Sequence, residues 1–86
     1  MEKLLVYVLY DRMADRVDVP MMYRSEVDCV RSLFHRFKDV PMFVQDFDLL
    51  LIGEWLFNEM EFVKYSENKT VSIVKLLNRY SGVEEK

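Results

Sequence analysis

One cysteine, one histidine, two glycines and two prolines are all that this 86-residue chain carries of those types. Each scarcity excludes something. A lone Cys29 rules out an intramolecular disulfide, and with His35 the only histidine there is no Cys/His/carboxylate cluster at zinc-ligand spacing. Neither a disulfide framework, a metal nor any other cofactor is expected, and the free thiol suits a reducing compartment. Two glycines cannot build a phosphate-cradling loop. No stretch approaches the ~18 apolar residues of a membrane span. The apolar run 4–10 is cut short by Asp11 and Arg12 and lacks a small-residue cleavage site, so it reads as a strand and not as a secretion signal. Positive charge is also scarce. Twelve Lys and Arg against 15 Asp and Glu leave a net −3, which argues against a uniformly basic nucleic-acid-binding surface. Any such site must be local.

What is present is apolar: 51% of the residues, with six Phe and one Trp, enough for one small core. The chain is too short for two, so one α+β domain is expected over residues 1–82, with a frayed tail at 83–86. Residues 3–10 read as a central strand, apolar on both faces. Residues 11–24 read as a loop, with Pro20 barring helix at the residue before it. Ser25 can cap a helix over 26–38 whose first turn holds Glu26 and Asp28, where carboxylates suit the helix dipole. Val27, Val30, Leu33, Phe34 and Phe37 fall on one arc of that helix, with Cys29 at its margin. After Pro41 comes a strand at 47–55 with a bulge or close backbone approach at Gly53, a turn at Asn58-Glu59, and a return strand at 60–65. Residues 70–80 are ambiguous: Val71, Ile73 and Val74 favour a strand, while the wheel is cleanly amphipathic. Helix is the reading taken, with Asn68 as cap and Gly82 as stop. The expected fold is α+β: a three-stranded, largely antiparallel sheet in β-α-β-β order, packed by one main helix, with a C-terminal helix. Strands apolar on both sides leave a second sheet face to be covered, by that helix or by a second copy, and a homodimer is expected.

The chain offers no catalytic constellation. Cys29 and His35 stand six residues apart on one helix, about 120° apart round its axis, so they diverge. The carboxylate pairs Asp46/Asp48 and Glu59/Glu61 alternate with apolar residues, as the solvated face of a half-buried strand does. A non-enzymatic protein is expected. The remaining constellation is basic: Arg24, Arg31, His35 and Lys38 along the main helix, with Lys75 and Arg79 on the second. Tyr7 and Tyr10, with Tyr23 and Trp55, are candidate stacking surfaces beside them. The competing reading is that the charges solvate helix faces and the aromatics fill the core.

Several of these residues also carry a family likeness. Residues 3–7 (Lys-Leu-Leu-Val-Tyr) with Tyr10-Asp11, Pro20 followed by Ser25-Glu26-Val27 and Val30-Arg31, and residues 46–55 from Asp46-Phe47 to Gly53-Glu54-Trp55 resemble the small non-structural protein of gokushovirus-type microviruses. These are single-stranded DNA phages that include those of chlamydiae. The likeness covers about residues 3–64, and it departs from the family pattern at Ser25-Glu26, Cys29, Leu33 and Leu56. It implies a protein of the infected bacterial cytoplasm that acts in single-stranded DNA genome synthesis or packaging. Single-stranded DNA, or phage replication or procapsid proteins, are the partners it implies. Direct binding to single-stranded DNA is the leading expectation, through Arg24, Arg31, His35 and Lys38 with Tyr7 or Tyr10. A homo-oligomeric protein-interaction module is the alternative.

Overall fold

Unbroken Val, Leu and Tyr make strand β1, Lys3–Asp11, and in the computed structural model of the protein it runs down the middle of the sheet, as two apolar faces require. The structure describes residues 2–84. One edge of β1 pairs antiparallel with β4, Phe47–Leu56, from Lys3↔Leu56 to Asp11↔Phe47. Its other edge takes two short strands, β2 (Arg16–Val17) and β3 (Met21–Tyr23). The pairings Tyr10↔Val17 and Leu5↔Tyr23 differ in register by one residue, so β2 and β3 are two parts of one hairpin arm split at 18–20. Pro20, which cannot donate to a ladder, sits in that interruption. A turn at 57–60, with Met60 at φ 51°, returns the chain into β5, Glu61–Ser72, on the far edge of β4.

The sheet is therefore antiparallel, ordered β2/β3–β1–β4–β5, and larger than the three strands expected. The segment 11–24 is not simply a loop: β2 and β3 are too short to show a period of their own and exist through their pairing with β1. The return strand likewise runs past 65 to Ser72. Gly53 pairs with Lys64 but Leu51 pairs with Lys69, so residues 65–68 bulge out and the ladder then resumes.

Helix α1, Glu26–Phe37, starts where Ser25, in extended backbone, accepts a hydrogen bond from the Asp28 amide. It buries Cys29, Val30, Leu33 and Phe37, whereas Val27 and Phe34 are half-buried. Cys29 thus lies inside the core and not at its margin, because α1 is packed both by the sheet and by a second helix alongside. A 3-10 helix, Pro41–Asp46, leads into β4 and contributes buried Val44.

The second helix, α2, spans Ile73–Glu84. Strand propensity prevails as far as Ser72, because Val71 pairs with Leu49 and packs on the core; periodicity prevails after it. Ser72 is the cap, its hydroxyl accepting from the Lys75 amide, while Asn68 lies in the bulge and receives Lys64 Nζ. The helix continues through Gly82, which is therefore not its stop. The tail expected to fray falls on Val83 and Glu84, the last residues of α2, and on residues 85 and 86, outside the described range.

The core gathers Tyr7, Leu9 and Leu49 from the sheet, Val30 and Leu33 from α1, and Ile73 and Leu76 from α2. This cluster lies on one face of the sheet, while Val6 and Val8, also buried, lie on the other. The C-terminal helix joins α1 on the cluster's side and does not cover the other. Gly53, at the bulge, is required by close approach: a Cβ there would stand 2.4 Å from the Val63 carbonyl oxygen and under 3 Å from the Phe62 ring. The first of these is backbone and cannot swing away. Gly53→Ala is expected to lower stability by about 1–3 kcal/mol in denaturant unfolding, the usual range for overpacking.

Candidate interaction surface

The outer face of α1 carries Arg31, His35 and Lys38 in line at helical spacing. All three are exposed, and none makes an ion pair or hydrogen bond among the described residues. Arg24, just before the cap, reaches Glu2 at 3.9 Å. The tyrosines assigned to the same site do not join it. Tyr7 is 3% exposed, packed beneath α1 with its ring tilted against Tyr23 at 6.1 Å, and burial pushes its hydroxyl pKa up. It is a core residue and offers no stacking surface. Tyr10 alternates with Leu9 and so points to the opposite side of the sheet, where its hydroxyl donates to Asp15. That hydrogen bond raises its pKa. Tyr23 is half-buried and donates to Ser32 Oγ. The second basic pair is divided too, since Arg79 is held by Glu26 at 3.5 Å and Tyr80 donates to the same carboxylate.

Other cations are also engaged. Arg12 binds Asp48 and the Gln45 carbonyl, and Arg36 binds Asp18 at 2.6 Å. Lys3 and the Tyr65 hydroxyl both donate to Glu54, lowering its pKa, the tyrosine bond being the larger cause. Among the described residues no His, Cys, Asp and Glu group has the makings of a metal site, and no helix is long and apolar enough to cross a membrane.

The most distinctive surface is on the face of the sheet away from the helices. Leu4, Val6 and Val8 of β1 and Leu50, Ile52 and Trp55 of β4 point there; Val6 and Val8 are themselves buried, and the open part is the side of Ile52 and Trp55. Val6, Pro20, Met22, Ile52, Trp55 and Phe62 line an apolar groove of about 270 Å³. Met22 and Phe62, on its two flanks, remain 50% and 43% exposed. Composition points to this face through the double-sided apolarity of β1 and β4. Of its flanks, Phe62 falls in the return strand read from the sequence at 60–65, whereas Met22 escapes because it lies in a three-residue strand.

A protein family described as Phage ORF5 protein matches residues 4–78. The chain belongs to this family. No curated protein and no solved structure matches it. In this Phage ORF5 chain the one thiol is withdrawn from chemistry: Cys29 is fully buried and its pKa is pushed up to about 12, first by burial and then by the Glu26 carboxylate. Native protein at pH 8 is expected to leave Cys29 unlabelled by a thiol reagent. The labelling rate should rise with denaturant in step with unfolding. Because the folded pKa lies above the unfolded one, ionisation of this thiol also favours unfolding as pH climbs from about 9 towards 12.

Proposed function

We propose that this protein is a non-catalytic accessory factor of a single-stranded DNA phage of the microvirus type, acting in the infected bacterial cytoplasm during genome synthesis or packaging by self-association. A second copy covers the open sheet face, and the assembly engages replication or procapsid proteins. The observation that carries this reading is the apolar face itself. Both helices are on the other side, and Ile52, Trp55, Met22 and Phe62 line an apolar groove there whose flanks, Met22 and Phe62, are half-exposed. A self-complementary apolar patch is what a two-fold dimer uses.

Direct binding of single-stranded DNA is a second reading, favoured by one observation: Arg31, His35 and Lys38 stand exposed and unpaired in a line. It lacks the stacking partners assigned to it, and the net charge of −3 opposes it.

Light scattering at micromolar concentration should give twice the 10.4 kDa mass of one chain. Met22→Lys with Phe62→Lys should return it to one chain with unchanged far-ultraviolet circular dichroism, both side chains being half-exposed. A monomeric parent protein sinks the self-association reading. In an electrophoretic titration at low salt, the parent is expected not to retard a short single strand, and Arg31→Ala with Lys38→Ala to change nothing. Retardation with a salt slope of about −0.7 per phosphate contact, flattened by one to two units in that double variant, would transfer the function to the helix.

A further inference from the structure

A second apolar surface lies at the other end of the molecule, where β1 runs out, α1 stops and the 3-10 helix begins. Met13, Phe37, Val40, Phe43 and Phe47 line a groove of about 430 Å³, within the range of small-ligand and side-chain pockets. Its floor is the Phe37–Phe47 pair, rings 5.4 Å apart and tilted by 57°. Its walls are exposed: Met13 at 79% and Phe43 at 50%. Exposed Met and Phe around an apolar floor are the adaptable lining of a docking site.

The charges at the rim say what fits. Three ionisable side chains, Asp11, Asp46 and Arg36, line the groove. The guanidinium of Arg36 is already paired with Asp18. Asp11 accepts the amides of Met13 and Ala14, which leaves its negative charge without a cation, and Asp46 has no ion pair among the described residues. The rim is therefore anionic around an apolar centre. We infer that this groove docks a peptide segment of a partner protein in which one large apolar side chain is flanked by Lys or Arg. The apolar side chain seats on Phe37 and Phe47, between Met13 and Phe43, and the cations meet Asp11 and Asp46.

The groove lies on a different part of the molecule from the open sheet face, so it is testable on its own. The probes are fluorescein-labelled hexapeptides, Lys-Lys-Trp-Lys-Lys-Gly, its Glu-for-Lys counterpart and its Ala-for-Trp counterpart. They are titrated by fluorescence polarisation into the Met22→Lys/Phe62→Lys protein, in which the open face is disabled. The basic Trp peptide is expected to bind at least tenfold more tightly than either counterpart. Phe43→Ala should weaken it at least tenfold, and Asp46→Asn should weaken it and reduce its salt dependence. Amide shifts of ¹⁵N-labelled protein should fall on residues 11–13 and 36–47. Equal binding of the acidic peptide, indifference to Phe43→Ala, shifts confined to other residues, or no binding at millimolar peptide would each overturn the inference. So would a parent dimer that Phe43→Ala dissociates, since the groove's occupant would then be a second copy.

Discussion

Leu9 and Leu49 face each other across the β1–β4 ladder, both fully buried, and every other element is arranged around that pair. It is the point where the two paired strands most distant in sequence meet under both helices: Leu33 from α1 and Ile73 and Leu76 from α2 belong to the same cluster. Burial of large aliphatic side chains there is worth about 1.5–3 kcal/mol each, far above any surface ion pair of this chain. The ion pairs have a different role. Lys3–Glu54 and Arg12–Asp48 sit near the two ends of the same ladder, where they fix register and leave the centre to packing.

Placing both helices on one side determines the character of the rest of the surface. Helix-facing sheet positions are closed by the helices; on the other face Val6 and Val8 are buried, while Met22 and Phe62 stay half-exposed beside Ile52 and Trp55. The cations are dispersed: several are tied to carboxylates around the rim, and those left unpaired on α1 lie on the far side of the helix from the sheet. A basic stripe and a stacking platform therefore do not coincide in this fold.

Much of the framework was legible in the sequence because it rests on local or strongly periodic signals. The uninterrupted apolar run of β1, the Ser25 cap with Glu26 and Asp28 behind it, and Gly53 in an otherwise bulky strand each point to one structure. What escaped depends on pairing. Met21–Tyr23 is a strand only because β1 offers it an edge, and β5 resumes after a four-residue bulge only because Leu49 and Leu50 remain unpaired on that side without it. The candidate site was less legible than the fold. A helical wheel places Arg31, His35 and Lys38 on one line, but it cannot say to which side of a sheet Tyr7 or Tyr10 will point. A single position of alternation puts the first in the core and the second on the opposite face.

The position of β1 also bears on how the chain is made. Its hairpin with β2 and β3 closes within the first 23 residues, whereas its ladder with β4 is complete only when residue 56 has been added. Closing that long loop costs entropy before any contact repays it. Until then the β4 edge of β1, a strand apolar on both faces, is without its partner. Strand-to-strand pairing between neighbouring nascent chains is the hazard of that interval. A cell translating many copies at once meets that hazard before the first molecule has buried Leu9.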